Sequence, residues 1–375
     1  MLRNRALLLA AIPLAALVIA LALPALRARH AEEGMGEVEH APSDWFYAQR
    51  AGADGTLPHG PWQMALQQAM VERARAARAA GARSVNSLTW QVVGPFNIGG
   101  RVTSLAVDPT GIIYLGAANG GVWKSVNAGA NWTCLTDAQS ITSVGAVAVD
   151  PSAPATLWCG TGEANSSVDS YDGNGIWKST DGGGTWSGMG LAATGRIARV
   201  WVDPANSAHV LVAAMGHQFS TGPDRGLYRT LDGGKTWTNV LFVNDSTGVN
   251  DIAMNPVHPD TIYCSTWERL RRNTYRRSSG PGSGIWRSID RGATWTRLAG
   301  GLPGPDDSVG RIALAVAPSQ PSTIYAQIGA GANQGYVGLG FYRSTDAGNT
   351  WQRRDSGTSF TGAFGGSPGF CWYFG

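Results

Sequence analysis

Three polar, glycine-bearing segments hold the side chains best able to do chemistry. Residues 161–175 read TGEANSSVDSYDGNG and carry Glu163, Asn165, Asp169, Tyr171 and Asp172. Residues 215–225 read MGHQFSTGPDR, with His217, Gln218 and Asp224, and residues 266–284 read TWERLRRNTYRRSSGPGSG, with Trp267, Glu268, Arg269, Arg271, Arg272, Arg276 and Arg277. An aromatic ring beside carboxylates and amides suits a sugar, which stacks on the ring and hydrogen-bonds through its hydroxyls. Two carboxyl groups flanking a glycosidic bond would add acid and base chemistry, and Glu163, Asp172 and Glu268 are the candidates. Three arginines, Arg101, Arg196 and Arg311, recur in the phrase Gly-Arg-Val or Gly-Arg-Ile. Guanidiniums converging from separate elements hold a carboxylate or sulfate by bidentate contacts. The expected ligand-binding set is therefore Arg101, Glu163, Asn165, Tyr171, Arg196, His217, Trp267, Arg269 and Arg311.

Other signatures fail on context. Gly365-Gly366-Ser367-Pro368-Gly369 matches GxSxG but lies in a glycine-rich stretch without the strand-to-helix turn that strains a nucleophilic serine. Gly234-Lys235-Thr236 ends like a phosphate-binding loop, yet Arg229 stands where its first glycine belongs. The six histidines show no metal-ligand spacing, and Cys134, Cys159, Cys264 and Cys371 show no CxxC. No cofactor or metal is expected, and the cysteines read as small buried residues.

The elements that position these residues repeat. SVNAGANW, STDGGGTW, TLDGGKTW, SIDRGATW and STDAGNTW begin at Ser125, Ser179, Thr230, Ser288 and Ser344, every 51 to 58 residues. Before each octapeptide come an apolar run ending in Asp-Pro or a relative, a β-branched and aromatic run, and a third run of the form GVWKS, GIWKS, GLYRT, GIWRS or GFYRS. The octapeptide's tryptophan opens a fourth run. Four short β-prone runs separated by turn residues make an antiparallel meander, and a radial array of meanders is a propeller. In such a blade the loop after the second strand and the link to the next blade share one rim, and the octapeptide lies on the other. All three polar segments follow second strands, so they are expected on one face. The octapeptide itself reads as a turn in which the aspartate accepts backbone N–H groups, the fifth-position glycine takes positive φ, and the tryptophan packs between sheets. Asn127 keeps the acceptor without the charge, as a structural role tolerates.

The octapeptide pattern SxDxGxTW resembles the Asp-box, or bacterial neuraminidase repeat, of sialidases, xyloglucanase-type hydrolases and sortilin-type ectodomains. The phrases IGGRVTSLAVDP, YLGAANGGVWKS and GTGEANSS are similar to exported bacterial sortilin-like proteins often named glycosyl hydrolases. The resemblance covers residues 89–375 and implies a propeller. Sialidases also use an arginine triad drawn from several blades, but their Arg-Ile-Pro phrase does not occur here. Xyloglucanase-type hydrolases place a catalytic Asp just before GGAYR, and the corresponding stretch from Ala117 to Lys124 holds no carboxylate.

The chain edges complete the reading. Residues 1–26 carry Arg3 and Arg5 and then an apolar run, an export signal or an uncleaved N-terminal anchor. Residues 27–88 form a linker with an Ala- and Arg-rich helix from about Met64 to Ala80, stopped by Gly81. Thr89-Trp90 matches an octapeptide end and reads as an orphan outer strand. Residues 89–358 supply the blades, and 359–375 begin a further one, so the propeller is expected to continue past Gly375. With 51 Gly and 15 Trp in 375 residues and a net charge of +3, the composition suits a β-rich, turn-rich chain and gives no electrostatic case for nucleic acid. The expectation is an all-β propeller of four-stranded antiparallel blades, five visible plus the start of a sixth, preceded by a short helical segment. It is exported, touches a membrane only through an N-terminal anchor, and binds carbohydrate on its long-loop rim. Hydrolysis by loop carboxylates and sortilin-like protein or peptide binding are the alternatives.

Overall fold

The computed structural model describes residues 49–52, 57, 61–80, 100–165, 170–271, 276–331 and 338–355. The expected leader, the outer strand from Thr89 to Gly94, the start of a sixth unit, Cys371, Asp169, Arg272 and the side chain of Arg276 lie outside them. The described chain is an all-β propeller array of five four-stranded antiparallel sheets, each in sequential strand order. Blade 1 comprises Val102–Val107, Ile113–Ala117, Gly121–Ser125 and Thr133–Cys134. Blade 2 comprises Val144–Val149, Leu157–Thr161, Ile176–Ser179 and Ser187–Gly188, and blade 3 Ile197–Asp203, Asn206–Ala214, Gly226–Thr230 and Thr238–Leu241. Blade 4 comprises Thr247–Met254, Ile262–Glu268, Gly284–Ser288 and Thr296–Arg297, and blade 5 Val309–Val316, Ile324–Ala330, Gly338–Ser344 and Gln352–Arg353. A helix, Pro61–Ala80, precedes them and starts earlier than its apolar pattern suggests. Proline suits that first helical position because the N–H it lacks would have no partner there.

The first strands of consecutive blades pack side by side. The core is therefore divided among the seams, one cluster each between blades 1 and 2, 2 and 3, 3 and 4, and 4 and 5. Cys159 and Cys264 are free thiols buried in two different clusters, and Cys134 is a free, half-buried thiol.

The octapeptide turns of blades 2, 3 and 5 fasten seams. The first residue of the octapeptide, Ser or Thr, is 1 % exposed in all five copies. That hydroxyl accepts the N–H of the fifth-position glycine at 2.8–3.0 Å, and the Asp or Asn at position three accepts the N–H of position seven at 2.9 Å. Positions four and five both have positive φ, at Ala128, Gly182, Gly233, Arg291 and Ala347 and then at Gly129, Gly183, Gly234, Gly292 and Gly348. Packing adds to the preference for glycine at the fifth position in blades 2, 3 and 5. A Cβ on Gly183 would lie 2.4 Å from Leu135 of the preceding blade, and one on Gly234 would lie 2.8 Å from Trp158, whereas at Gly182 the nearest atom is the Lys124 ammonium at 3.4 Å. The position-four residue makes two backbone ties. Its N–H donates within its own blade, from Gly182 to Ala155 O at 2.8 Å and from Ala347 to Ser322 O at 2.9 Å. Its carbonyl accepts from the third strand of the preceding blade: Lys124 to Gly182, Lys178 to Gly233 and Arg287 to Ala347. The recurrent Lys or Arg of the third strand is therefore an inter-blade contact. Trp186 and Trp351 are buried as expected, while Trp132 of blade 1 is 36 % exposed.

Ser179→Ala should lower the urea-unfolding free energy by about 1–3 kcal/mol, because the Gly183 N–H it serves is buried and would lose its partner. Asp181→Ala should cost less, since the Thr185 N–H it serves is exposed. The reverse order would contradict this account of the turn.

The same turns predict an acid limb. The Thr185 N–H, with the Thr185 and Ser179 hydroxyls, holds Asp181 at about 2, and the Thr350 hydroxyl and N–H hold Asp346 at about 2. Carboxyls depressed in the folded state contribute stability above the ordinary value of roughly 3.9, and it is lost as pH falls toward 2. Replacing Asp181 and Asp346 by Asn, the residue native at position 127, should flatten the stability–pH curve between about pH 4 and 2 in acid titrations followed by tryptophan fluorescence.

Candidate functional site

Strand pairing places the described loop candidates at one end of the blades. The start of each first strand pairs with the end of the second: Val102 with Ala117, Val144 with Thr161, Ile197 with Ala214, Thr247 with Glu268 and Val309 with Ala330. The pairing is irregular near this end of every first strand, and such bulges re-aim side chains. One further hydrogen bond extends each ladder. The residue just past the second strand donates to Arg101 O in blade 1 and Arg196 O in blade 3, and Gly331 donates to Ser308 O in blade 5. Ser308 is therefore the blade 5 counterpart of Arg101 and Arg196. Arg311 lies three residues on, inside Val309–Val316, and the repeated phrase does not give the three arginines equivalent positions.

The arginines have separate partners. Arg101 grips Glu163 through Nε and Nη2 at 2.5 and 2.6 Å. Arg196, 1 % exposed, is in ion-pair contact with Asp172 at 2.9 Å and also donates to Gln218. Arg311 lies over the Trp267 ring at 5.7 Å. Burial pushes the Arg196 guanidinium below its ordinary value, opposed by Asp172 and Glu163. Arg225, which donates to the carbonyls of Met215, His217 and Ser220, is pushed down to about 10, chiefly by burial and next by Arg196.

The three candidate carboxylates differ in access. Glu163 is fully buried and accepts from Ser170 Oγ at 2.7 Å as well as from Arg101. Glu268 is 2 % exposed, paired with Arg277, and accepts the Gly282 N–H at 2.9 Å. Both brace their loops. The Asp172 side chain is 21 % exposed, with His217 Nδ1 2.7 Å from its second oxygen. Asp172, His217 and Arg196 thus bring blades 2 and 3 together around the one accessible carboxylate of the three. Asn165 is half-buried in the turn after Glu163. Tyr171 is half-buried with the Arg50 guanidinium 5.7 Å from its ring centre, so the N-terminal segment also reaches this rim.

Trp267 departs from the expected exposed stacking ring. It is 0 % exposed, packs with Ala164 of blade 2 and Met215 of blade 3, and donates its indole N–H to Ser278 O at 2.7 Å. Arg269, 1 % exposed, lies over it at 5.5 Å and donates to Arg277 O, which excludes both side chains from a solvent-facing sugar platform. Blade 4's second strand runs on into a two-stranded hairpin, Leu270–Arg271 with Arg276–Arg277, and Arg271 N donates to Gln218 O of blade 3. Trp267 therefore plugs the place where loops of blades 2, 3 and 4 meet under Arg311 of blade 5. Sequence reasoning missed this, because in sequence a buried plug and an exposed platform are the same tryptophan in the same loop.

No family model matches the chain. A xyloglucanase of a Paenibacillus species is 27 % identical over 249 residues, covering 56 % of this chain and 22 % of the relative. A xyloglucanase of Hypocrea jecorina is 25 % identical over 345 residues, covering 71 % and 40 %. The chain thus spans less than half the length of these curated relatives. Among solved structures, an ancestral GH74 enzyme superposes with a TM-score of 0.55 at 23 % identity, over 73 % of this chain and 33 % of that one. The likeness shows the propeller fold.

Trp267→Ala should cost roughly 3–5 kcal/mol in thermal or urea unfolding, as expected for truncating a fully buried ring. Weaker glycan binding with an unchanged melting temperature would instead identify Trp267 as a stacking platform.

Proposed function

We propose that this chain is a carbohydrate-directed propeller of the glycoside-hydrolase type, exported from the cell, whose second-strand rim engages a plant-type polysaccharide such as xyloglucan. The observation that carries this reading is the accessible Asp172 carboxylate, fixed between Arg196 and His217 on the rim built by the longest loops. The resemblance to xyloglucanases supports the ligand class. Fixed by two neighbours and open on one side, a carboxylate can accept a sugar hydroxyl or activate water. Hydrolysis requires a second carboxyl group. Glu163 and Glu268, both buried and paired, are unsuited to it, while Asp137 on the link between blades 1 and 2 is exposed on the same rim.

Binding without turnover is the second reading. It is favoured by the stretch from Ala117 to Lys124, which has no carboxylate where xyloglucanase-type hydrolases place one.

The test pairs affinity electrophoresis with reducing-end release on xyloglucan and mixed-linkage β-glucan. Binding is expected for the parent chain. If it is hydrolytic, Asp172→Asn should lower turnover by about 10²–10⁴-fold with substrate affinity little changed. Binding with no reducing ends released would select the second reading, and the absence of both signals would overturn the proposal.

A further inference from the structure

A cavity of about 410 Å³ opens on the same rim, bounded by blades 1 and 2 and the N-terminal helix. Its walls include Asn119, in the turn after blade 1's second strand, and Asp137, Gln139 and Thr142 from the link to blade 2. Tyr171 of the blade 2 loop, Met70 of the helix, and Gly120, Thr136 and Ile141 complete them. Tyr171 immediately precedes Asp172 in the chain.

Two independent features mark it as more than a surface crevice. The first is its chemistry. Two carboxamides and two threonine hydroxyls donate and accept, as adjacent sugar hydroxyls require, and the phenol ring and thioether supply apolar surface. Asp137 is the one formally charged residue among the nine that line the cavity, and its carboxylate disfavours an anionic sugar, while Arg73 and Arg50 stand at the cavity's edge on the Asp137 carbonyl and the Tyr171 ring. The volume lies within the range of small-molecule sites. The second feature is the helix. Among its described side chains, Met70 is the one that is half-buried rather than exposed, and Arg73 Nη1 donates to Asp137 O at 3.0 Å, fixing the helix to the cavity's own link. The helix touches the rim where it closes this space.

The geometry points to a subsite for a neutral sugar unit, held by Asn119, Gln139 and Tyr171, with Met70 as a wall supplied from outside the propeller. This rests on the carbohydrate reading above and deepens it: the N-terminal helix is a specificity element, and the preferred residue at this position carries no charge.

The experiment is isothermal titration of the full chain with a neutral xyloglucan heptasaccharide and, as a charged control, an oligogalacturonide of equal length. Met70→Trp fills the cavity from an exposed helix and should weaken neutral-sugar binding by more than about tenfold, and Gln139→Ala by about fivefold, the loss expected for a hydrogen bond. Melting temperatures should match the parent in both. If the parent binds the heptasaccharide and both variants bind it equally well, the subsite is overturned while the carbohydrate reading stands. Tighter binding of the oligogalacturonide would overturn its neutral specificity. A parent that binds neither saccharide would overturn the subsite and the carbohydrate reading together.

Discussion

The backbone of the fourth residue of the octapeptide turn makes the contact on which the array depends. Its N–H is tied to its own blade and its carbonyl to a lysine or arginine one blade earlier. That arrangement requires a left-handed pair of residues, and the glycine at position five lets the turn sit against the preceding sheet. The contact recurs at three of the four described seams, so consecutive blades are tied on the turn rim. The opposite rim is left to vary its loops, and it carries the candidate site.

On that opposite rim, charge is organised by pairing. Glu163 with Arg101 and Glu268 with Arg277 are ion pairs whose acidic members are out of solvent. Removing one partner of such a pair costs more than the pair itself contributes, since it leaves a buried charge uncompensated. These residues therefore act as braces for the loops that present Asp172, His217 and the cavity walls. Chemistry and support are divided between carboxylates that look alike in the sequence.

What could be read in the sequence follows from the range of the interactions. The blades, the turn geometry and the shared rim rest on contacts within about ten residues or on a repeat that compares a unit with itself, and the five sheets match that reading. The burial of Glu163 and Trp267 depends on Arg101 and Met215, which are remote in sequence and lie outside the loops concerned. Arg311 was aligned with Arg101 by its phrase, but the irregular pairing of blade 5's first strand moves it off the equivalent position. The cavity could not be read at all, because it exists only where Met70 meets the link between blades 1 and 2. The position-four carbonyl left no signal of its own, since a backbone acceptor is indifferent to which side chain stands there, and the sequence shows only its partner in the recurrent Lys or Arg.

The plug at Trp267 changes what kind of folding unit the array can be. Seams between successive blades are local, so a chain held by them alone would behave as a one-dimensional stack, able to fray from either end with each loss nearly independent of the next. Trp267 packs against loops from two earlier blades and lies beneath an arginine of the following one, so it reaches its final surroundings only when four blades have docked. Such a contact forms late and rewards completion, converting a string of separable modules into one cooperative body at the cost of a slower, more non-local assembly.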